Sequence, residues 1–499
     1  MVEFITKEQA VKLIKYKDFV GISGSGGTGS PEGLLNALKK VYDEEQKPKN
    51  ITVLSGISPG NLTNDPVGFN LLCADGLVGR SICAHYGMGK TFQEKASNNQ
   101  FAAYAIPLGV YTKLLRAIAN QEVGFITKTG LNTFVDPRMG GAKVNKKALK
   151  EKFKLTDLYL IDKKDEVLYF KTFPINVALI KGSIADKKGN ISLENEPFIG
   201  EQLDLCAAVK NSGGIVICEV TKVVANGKIS PKNVAIHNSL VDYVVVHKPS
   251  KKYGDYNWPV FKPELIGEGI KNDFKIPLLK DKTRLKCIQK ALKEIKENEI
   301  VNLGVGMPSE IATLAYHEKK NNFLMSVETG PLGGIPLSGF SFGASFNPEA
   351  LYQTSYTLDL YNGGFLDTAI LGLAEVDKNG NVNVSKFNNK ITGPGGFIDI
   401  TQNTKNIIFL GTLTTKNNEK KFKKQIEQIT FSAQNALKNK QNVLYITENA
   451  IFKLTNKGLE LIEINLDIDL KKELLNLIEF KIIISKELKD IIKFHNENC

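Results

Sequence analysis

The chain has 499 residues, of which 42% are hydrophobic and 24% are charged, a composition typical of a globular protein with a large buried core. The formal net charge of +12 suggests a nucleic-acid partner, but the lysines are interleaved with acids, as in KKALKEKFKLTDLYLIDKKDE, and form no arginine-aromatic track. We therefore expect no nucleic-acid binding. A mild positive field favours instead a small anionic ligand that carries phosphates.

The cysteines and histidines argue against disulfides and metal sites. No two cysteines form a C-x-x-C pair, several lie in apolar runs such as GGIVICEV, and the five histidines are widely spaced. Buried, reduced thiols are typical of a cytoplasmic protein. The N-terminal segment MVEFITKEQAVKLIKYKDFV predicts an amphipathic helix without a signal core, and no stretch is long enough to cross a membrane. We expect a cytoplasmic protein with no metal and no membrane contact.

A glycine-rich loop, GSGGTGSP, follows the first predicted strand at residues 24–31. Its G-x-G-x-x-G spacing matches a dinucleotide fingerprint, but that pattern alone is weak evidence. The acids that follow, Asp43 and Glu44, lie at a predicted helix end, whereas a ribose-binding acid belongs at the end of the second strand, NITVLSG. We interpret the loop as backbone, including Gly26 and Gly27, that lines a ligand cleft. A tight strand-to-helix turn and a dinucleotide site are the alternatives.

The chain is built from two related halves. Residues 178–190, ALIKGSIADKKGN, align without a gap with residues 369–381, AILGLAEVDKNGN. The segments DFVGISGSGGTGSPEGLLNAL and NEIVNLGVGMPSEIATLA both run from an apolar strand through a glycine loop and a proline into an amphipathic helix. The second loop lacks the third glycine, which weakens the dinucleotide interpretation further. Its glycines, Gly304 and Gly306, are predicted to line the same cleft.

Strands alternate with helices throughout, which predicts two related open α/β domains with mostly parallel sheets and helices on both faces. The junction is expected within KNDFKIPLLKDKTRLK, residues 271–286. Ligands of such sheets bind at the carboxyl ends of the strands. We therefore expect a cleft where the two domains face each other.

The stretch NNFLMSVETGPLGGIPLSGFSFGASFNPEA, residues 321–350, contains the strongest catalytic candidate. Glu328 directly follows a short apolar strand, and Gly330 and further glycines leave space around its carboxylate. Two more glycine clusters, NGGF and GPGGF, follow in the same half. Their amides could stabilise a developing oxyanion. A salt-bridged surface glutamate at a turn is the alternative for Glu328.

Taken in order, GGTGSPE, VETGPLGG…SFGASFNP, YNGGFLD and GPGGF resemble the family I coenzyme A transferases, most closely the fused single-chain acetate/propionate/acetoacetate type. The resemblance covers essentially the whole chain. It implies an α-type domain at residues 1–275, a linker at 276–282 and a β-type domain at 283–499. It also implies that Glu328 is the nucleophile and that the amide of Gly395, with Gly396 beside it, forms an oxyanion hole. The family's glutamine donor is replaced by Leu108, whose contribution would have to come from its backbone amide.

The resemblance implies transfer of CoA between an acyl-CoA and a short-chain carboxylate of the acetate, propionate, butyrate or acetoacetate class, through a glutamyl-CoA thioester. This chemistry needs no cofactor, and the family predicts a homo-oligomer. His85, in AHYGMGKT, is either an acyl-pocket residue or a loop histidine with a structural hydrogen bond. The alternative functions are an acyl-CoA hydrolase with the same glutamate and a sugar-phosphate isomerase or ligand-sensing protein of the same fold.

Overall fold

The computed structural model describes residues 2–162, 165–197, 199–248, 263–270, 279–320 and 322–490. Two large sheets organise these residues, one in each half of the chain. The first has eight strands, and every neighbouring pair is parallel. In spatial order its strands are Glu3–Phe4, Tyr243–Val246, Ile215–Val220, Val177–Lys181, Phe19–Ile22, Ile51–Ile57, Val78–His85 and Ala102–Ala105.

The second sheet has ten strands, of which a central group is parallel and most of the outer pairs are antiparallel. In spatial order its strands are Ala350–Leu351, Pro331–Leu332, Leu324–Ser326, Ile300–Leu303, Thr368–Gly372, Asn406–Leu410, Asn442–Ile446, Ala450–Thr455, Gly458–Ile464 and Ile483–Ile484. Many apolar side chains of these strands are buried in the core. The sheets confirm the predicted α/β class.

The two sheets also repeat one strand order, which supports the predicted internal duplication. The shared unit has five strands, which in chain order are Phe19–Ile22, Ile51–Ile57, Val177–Lys181, Ile215–Val220 and Tyr243–Val246 in the first sheet and Ile300–Leu303, Leu324–Ser326, Thr368–Gly372, Asn406–Leu410 and Asn442–Ile446 in the second. In both sheets the third of these strands lies at the centre, with the first and second on one side and the fourth and fifth on the other. The aligned turns agree in detail. Asp186 accepts hydrogen bonds from the backbone and side-chain amides of Asn190 at 3.0 and 2.9 Å. Asp377 accepts the same pair from Asn381 at 3.0 and 2.9 Å.

Helices pack against the sheets through apolar stripes. Helix Glu32–Glu45 begins directly after Pro31 and buries its leucines, Val41 and Tyr42. The α-helices are Lys7–Val11, Glu32–Glu45, Lys90–Ser97, Leu108–Ala119, Lys146–Leu149, Gln202–Asn211, Lys282–Glu294, Glu310–His317, Thr354–Asn362, Phe397–Asn403, Ala433–Lys438 and Leu470–Glu473. Single 3₁₀ turns lie at Gly68–Leu72, Pro137–Met139, Pro231–Asn233, Asn238–Leu240, Pro263–Leu265, Gly339–Ser341 and Leu475–Leu477.

Several small sheets complete the fold. The largest is antiparallel and joins Gly124–Thr127, Asp165–Lys171 and Thr156–Ile161 in that order. The repeated turns belong to Ile191–Ser192, Ile184–Asp186 and Lys222–Val224 in the first half and to Val382–Asn383, Glu375–Asp377 and Phe422–Lys423 in the second. The remaining pairs are Ile335–Pro336 with Ser345–Phe346 and Lys386–Phe387 with Lys390–Ile391.

The N-terminal segment differs from its prediction as one amphipathic helix. It begins with strand Glu3–Phe4, which pairs with Tyr243 and Val244 at the sheet edge. The helix covers only Lys7–Val11, because the Thr6 side chain caps its start and the strand from Phe19 follows soon after its end. Among the described residues, no helix is both long enough and apolar enough to span a membrane.

The predicted linker, residues 276–282, is only partly described, since residues 276–278 lie outside the described residues. Helix Lys282–Glu294 begins at its last residue, with Asp281 capping the first turn. All strands of the first sheet lie before this segment, and all strands of the second lie after it. The domain limits of 1–275 and 283–499 stay predictions.

Candidate active site

A cavity of about 300 Å³ lies between the two halves. Its walls are built from residues at or just beyond the carboxyl ends of strands from both sheets, where parallel α/β folds bind ligands. The first half contributes Ser25, Gly26, Ile57, His85 and Met88. The predicted residues that the second half contributes are Gly304, Glu328, Gly395 and Gly396. The cavity therefore unites residues far apart in sequence.

Three further predicted residues lie outside this lining. Gly27 and Gly306 are neighbours of lining residues in the two glycine loops. Gly330 has φ +134°, and a Cβ there would collide with the backbone oxygen of Tyr352. The turn that follows Glu328 therefore requires glycine at position 330. Substrate binding by Gly27, Gly306 and Gly330 stays a prediction.

Glu328 is held just beyond strand Leu324–Ser326 with 7% of its surface exposed. Its Oε2 atom has no hydrogen-bond partner. Burial raises the pKa of Glu328 to about 7, the negative charge of Asp399 acts in the same direction, and the Asn302 side chain opposes them. An ionised, incompletely paired carboxylate in a largely apolar cavity is a strengthened nucleophile, because little solvation must be removed before it attacks.

A polar triad lies beneath this carboxylate. Asn302 donates to the backbone oxygen of Ser326 at 3.1 Å and to the hydroxyl of Tyr361 at 3.3 Å. The hydroxyls of Ser326 and Tyr361 are also hydrogen-bonded to each other. All three side chains are fully buried. Sequence reasoning missed them, although an asparagine within the apolar strand sequence IVNL was a usable signal.

The GPGGF loop of the second half is fastened to the first half by main-chain hydrogen bonds. Tyr86 donates to the oxygen of Thr392 at 2.7 Å, Gly395 donates to the oxygen of Ala84 at 2.9 Å, and Leu108 donates to the oxygen of Gly395 at 2.9 Å. A Cβ on Gly393 would collide with the oxygen of Ala84. The position of this loop relative to Glu328 is therefore set by the other half.

These bonds engage the two backbone amides that the sequence offered as candidate oxyanion donors. The amide of Gly395 is already engaged by Ala84, and the amide of Leu108 is engaged by Gly395. Neither is free in this arrangement. The amide of Gly396 has no hydrogen-bond partner within the described chain, and a Cβ on Gly396 would lie 3.1 Å from Cγ of Glu328. Of the three amides, that of Gly396 therefore remains available as a donor, and the residue itself lies next to Glu328.

Asp399, on the helix that follows the GPGGF loop, is a buried acid that also connects the two halves. Its Oδ2 accepts from the amide of Gly109 at 2.9 Å, and its Oδ1 accepts from the Asn362 side chain at 3.0 Å. Asp399 therefore caps helix Leu108–Ala119 across the two halves. Burial raises the pKa of Asp399 to about 6, against the effect of these two donors. Sequence reasoning did not select this acid, which stands alone in the apolar run FIDI.

His85 ends strand Val78–His85 and reaches the cavity. Its Nδ1 accepts a hydrogen bond from the amide of Gly87 at 3.1 Å. His85 therefore both makes a structural hydrogen bond and lines the cavity, the two alternatives that its sequence position left open. Burial lowers the pKa of His85 to about 4. The ring is therefore neutral near pH 7 and carries its proton on Nε2.

The opening glycine loop forms a tight turn that also meets the cavity. Ser25 and Thr28 exchange two backbone hydrogen bonds at 2.9 and 3.0 Å. Gly24, Gly26 and Gly29 have positive φ, which explains the glycine pattern as a requirement of the backbone. The turn and cleft interpretations thus describe one loop. No cluster of metal-binding side chains is found in the described part of the chain.

The raised pKa of Glu328 also predicts a change in stability. Below the unfolded pKa of 4.5 both states are protonated. Between 4.5 and about 7 the unfolded state ionises while burial keeps the folded carboxyl protonated, so the free energy of unfolding falls as pH rises. We expect Glu328→Gln to raise the free energy of unfolding by about 3 kcal/mol at pH 8 and by about half as much at pH 5.5. Urea unfolding of both proteins at the two pH values tests this. A gain that is larger at pH 5.5 would contradict it.

Known proteins share this architecture along almost the whole chain. A family model described as coenzyme A transferase matches residues 4–247. The caffeate CoA-transferase of Acetobacterium woodii is 37% identical over 98% of this chain and 97% of its own length. The acetate CoA-transferase YdiF of Escherichia coli (strain K12) is 36% identical over 98% of this chain and 94% of its own.

A crystal structure of the acyl-CoA transferase YdiF from E. coli O157:H7, in a thioester complex with CoA, matches with a TM-score of 0.89 and 35% identity, over 98% of this chain and 94% of that chain. These similarities include both halves and hence both walls of the cavity. They remove the alternative of an isomerase or sensor that shares only the fold. The chain belongs to the single-chain family I coenzyme A transferases, and it is an enzyme that transfers CoA between an acyl-CoA and a carboxylate.

Proposed function

We propose that Glu328 is the covalent nucleophile of this transfer and carries CoA as a glutamyl thioester between two carboxylates. The observation that supports this most directly is the buried carboxylate of Glu328, which has an unpaired oxygen and lies next to Gly396 in a cavity shared by both halves. The thioester complex of the related YdiF with CoA is consistent with such an intermediate.

The exchange runs through two symmetric stages. The Glu328 carboxylate attacks the thioester carbonyl of an acyl-CoA, and the C–S bond breaks to give a mixed anhydride and CoA thiolate. The thiolate then attacks the glutamyl carbonyl of the anhydride, which releases the first acid as its carboxylate and leaves CoA on Glu328. A second carboxylate reverses both steps and departs as the new acyl-CoA, so no proton, metal or redox equivalent is consumed. We therefore propose that no cofactor is needed and that CoA is a substrate.

The anhydride step is energetically uphill, since a carboxylate is a weaker nucleophile than the thiolate it displaces. Two features of the cavity lower this barrier. Burial removes solvent from the attacking carboxylate, and the Gly396 amide is available to stabilise the oxyanion of the tetrahedral intermediate. We assign the oxyanion role to Gly396, with Gly395 fixing its position. A neutral His85, with a proton on Nε2, also lines the cavity and can donate to a substrate oxygen there.

This mechanism predicts the pH dependence of catalysis. Only the ionised form of Glu328 attacks, and its pKa is about 7, raised chiefly by burial. We expect kcat/KM to be flat above pH 8 and to fall about tenfold per pH unit below about pH 6.5. Initial rates from pH 5 to 9, with an acid whose own ionisation does not change in this range, test this. A kcat/KM that stays flat down to pH 5, as the usual glutamate pKa of about 4.3 predicts, would contradict the assigned environment.

We further propose substrates of the acetate, propionate, butyrate or acetoacetate class. Small apolar acids fit a cavity lined by Ile57, Met88, Leu371 and Phe397. The relatives named for acetate and for caffeate show that related enzymes differ in acid. We also propose a cytoplasmic homo-oligomer without a nucleic-acid partner. The five described cysteines, all free thiols, support a reducing compartment.

The direct test is an exchange assay with acetyl-CoA and a panel of labelled carboxylates, namely propionate, butyrate, acetoacetate and caffeate. We expect parallel double-reciprocal lines, as ping-pong kinetics require, and acyl-CoA products from at least one short-chain acid. A reaction without acceptor acid, monitored for free thiol, tests hydrolysis. Steady thiol release as fast as the exchange would instead assign the chain as an acyl-CoA hydrolase that uses the same glutamate.

A further inference from the structure

The loop that carries Gly396 is fastened to the first half on both sides of that glycine. Leu108 and Gly109 are the first two residues of a helix in the first half. Leu108 donates its amide to the oxygen of Gly395 at 2.9 Å, and Gly109 donates its amide to Oδ2 of Asp399 at 2.9 Å. The position of Gly396 is therefore fixed from one residue before it and from three residues after it.

Contacts from both halves hold the carboxylate of Asp399. It is fully buried, and its Oδ1 accepts from the Asn362 side chain at 3.0 Å. Asn362 in turn accepts from the hydroxyl of Thr129, in the first half, at 3.0 Å. A Cβ on Gly109 would collide with Oδ1 of Asp399, so the close approach of helix and carboxylate requires glycine. A carboxylate at the start of a helix is also favoured by the helix dipole.

The duplicated fold contains the same arrangement a second time, with the two halves exchanged. Thr354, the first residue of a helix in the second half, donates its amide to the oxygen of Gly200 at 3.1 Å. Ser355, the second residue of that helix, is hydrogen-bonded through its side chain to the carboxylate of Asp204. Each of these four residues has the same place in its helix or loop as its counterpart around Asp399.

The two arrangements differ in what their loops contact. The strand registers place Gly56 of the first half where the second half has Glu328. A Cβ on Gly396 would lie 3.1 Å from Cγ of Glu328, and a Cβ on Gly56 would lie 3.4 Å from Oε1 of Glu201. Glycine and glutamate therefore face each other in both, but only Glu328 lines the cavity. The arrangement around Asp204 thus serves no reacting carboxylate.

We propose that Asp399 is a positioning residue for CoA transfer: its carboxylate fastens the loop to the first half and so holds Gly396 beside Glu328. This inference rests on the functions proposed above for Gly396 and Glu328. The negative charge of Asp399 has a second effect, because it acts together with burial to raise the pKa of Glu328. Asp399 therefore acts on both the geometry and the ionisation of the nucleophile.

The charge of Asp399 can be changed without changing its titratable neighbours. The other titratable side chains around Asp399, Glu328 and the cavity are Asp359, Tyr361, His85 and Lys421. All of them are kept when Asp399 is replaced by asparagine, which has nearly the same shape and no charge. A changed pH profile in that variant therefore reports the lost charge of Asp399.

Asp399→Asn tests both effects. We expect kcat to fall about tenfold, because a loosened loop misplaces Gly396 relative to Glu328. We also expect the pH below which kcat/KM declines to move to a lower value, because a like charge next to Glu328 is lost. Initial rates from pH 5 to 9 measure both. Asp204→Asn is the matched control, since it alters the equivalent contact between the halves and should change neither kcat nor the pH profile.

Gly109→Ala separates position from charge. The added methyl group displaces the carboxylate of Asp399 and keeps its charge. We expect kcat to fall, while the pH below which kcat/KM declines should not move to a lower value. This variant also tests the position of the loop if Asp399→Asn does not fold.

Three results would overturn the role of Asp399. They are wild-type kcat and pH profile in folded Asp399→Asn, equal losses in Asp399→Asn and Asp204→Asn, and wild-type kcat in Gly109→Ala. Peptide mapping of the CoA adduct keeps this test apart from that of the nucleophile. Asp399→Asn should still gain the adduct within FLMSVETGPLGG, because Glu328 is intact. A wild-type enzyme that gains no adduct there would refute the function proposed for Glu328 instead.

Discussion

Glu328→Gln is expected to lower the transfer rate by roughly 10⁴-fold or more, because it removes the nucleophile of both half-reactions. Glutamine has the same shape as a protonated glutamate, and burial already raises the pKa of Glu328 to about 7, so the cavity should tolerate the amide. Wild-type enzyme incubated with acyl-CoA and no acceptor should gain a CoA adduct within the peptide FLMSVETGPLGG. Intact-mass and peptide mass spectrometry should find no adduct in the variant.

Glu201→Gln provides a matched control. Glu201 is also buried, its pKa is also raised to about 7 by burial, and its Oε1 atom also lacks a hydrogen-bond partner. It does not line the cavity. We expect Glu201→Gln to keep both the adduct and the transfer activity. An adduct that survives in Glu328→Gln, or one that maps to Cys83, would refute the assignment of the nucleophile.

Glu328→Asp separates the chemistry of the carboxylate from its position. The shorter side chain keeps the carboxylate but withdraws it by one methylene from the reacting carbonyl. Such a misplacement can cost about a hundredfold in rate. Activity close to wild type would mean that the carboxylate does not attack directly.

The place of Glu328 in the cavity and the sheets could be predicted because their signals are local. A carboxylate at a strand end between glycines is visible in the chain, and so is a strand pattern repeated with the same Asp-Lys-x-Gly-Asn turn. Parallel strands then bring their carboxyl ends to one edge whatever the intervening loops. Residues that follow successive strands in the sequence are therefore expected to lie close together in the folded protein.

Which amide stays unbonded near Glu328 could not be predicted, because it depends on bonds between the halves. Gly395 and Gly396 are adjacent and chemically identical, and only the hydrogen bond from Gly395 to Ala84 decides which amide remains available. Asp399 likewise acquires its role from Gly109, which is distant in sequence. Local sequence patterns do not show which residues of one half contact which residues of the other.

The short antiparallel strands were missed for a different reason. The charged segment around Thr156–Ile161 alternates lysines with apolar residues and has no turn signal of the common two-residue type. Its exposed side chains also break the inside-outside alternation on which strand prediction depends.

The role of Gly396 can be isolated by comparing alanine with proline at this position. Gly396 has φ −82°, a value that both residues can adopt, and the preceding Gly395 reduces the steric conflict that proline causes. Both substitutions add a Cβ, which would lie 3.1 Å from Cγ of Glu328 and press on the nucleophile. Only proline also removes the N–H group.

We expect Gly396→Ala to lower kcat moderately and Gly396→Pro to lower it by at least a further hundredfold, since one oxyanion donor is worth about 2.7–4 kcal/mol. KM for acyl-CoA should differ little between the two variants, because the amide is needed most in the tetrahedral intermediate. Circular dichroism and binding of a non-transferable CoA thioether show whether each variant is folded. If the two folded variants have equal kcat, the oxyanion donor is a different group, and the amide of Gly396 is only part of the cavity wall.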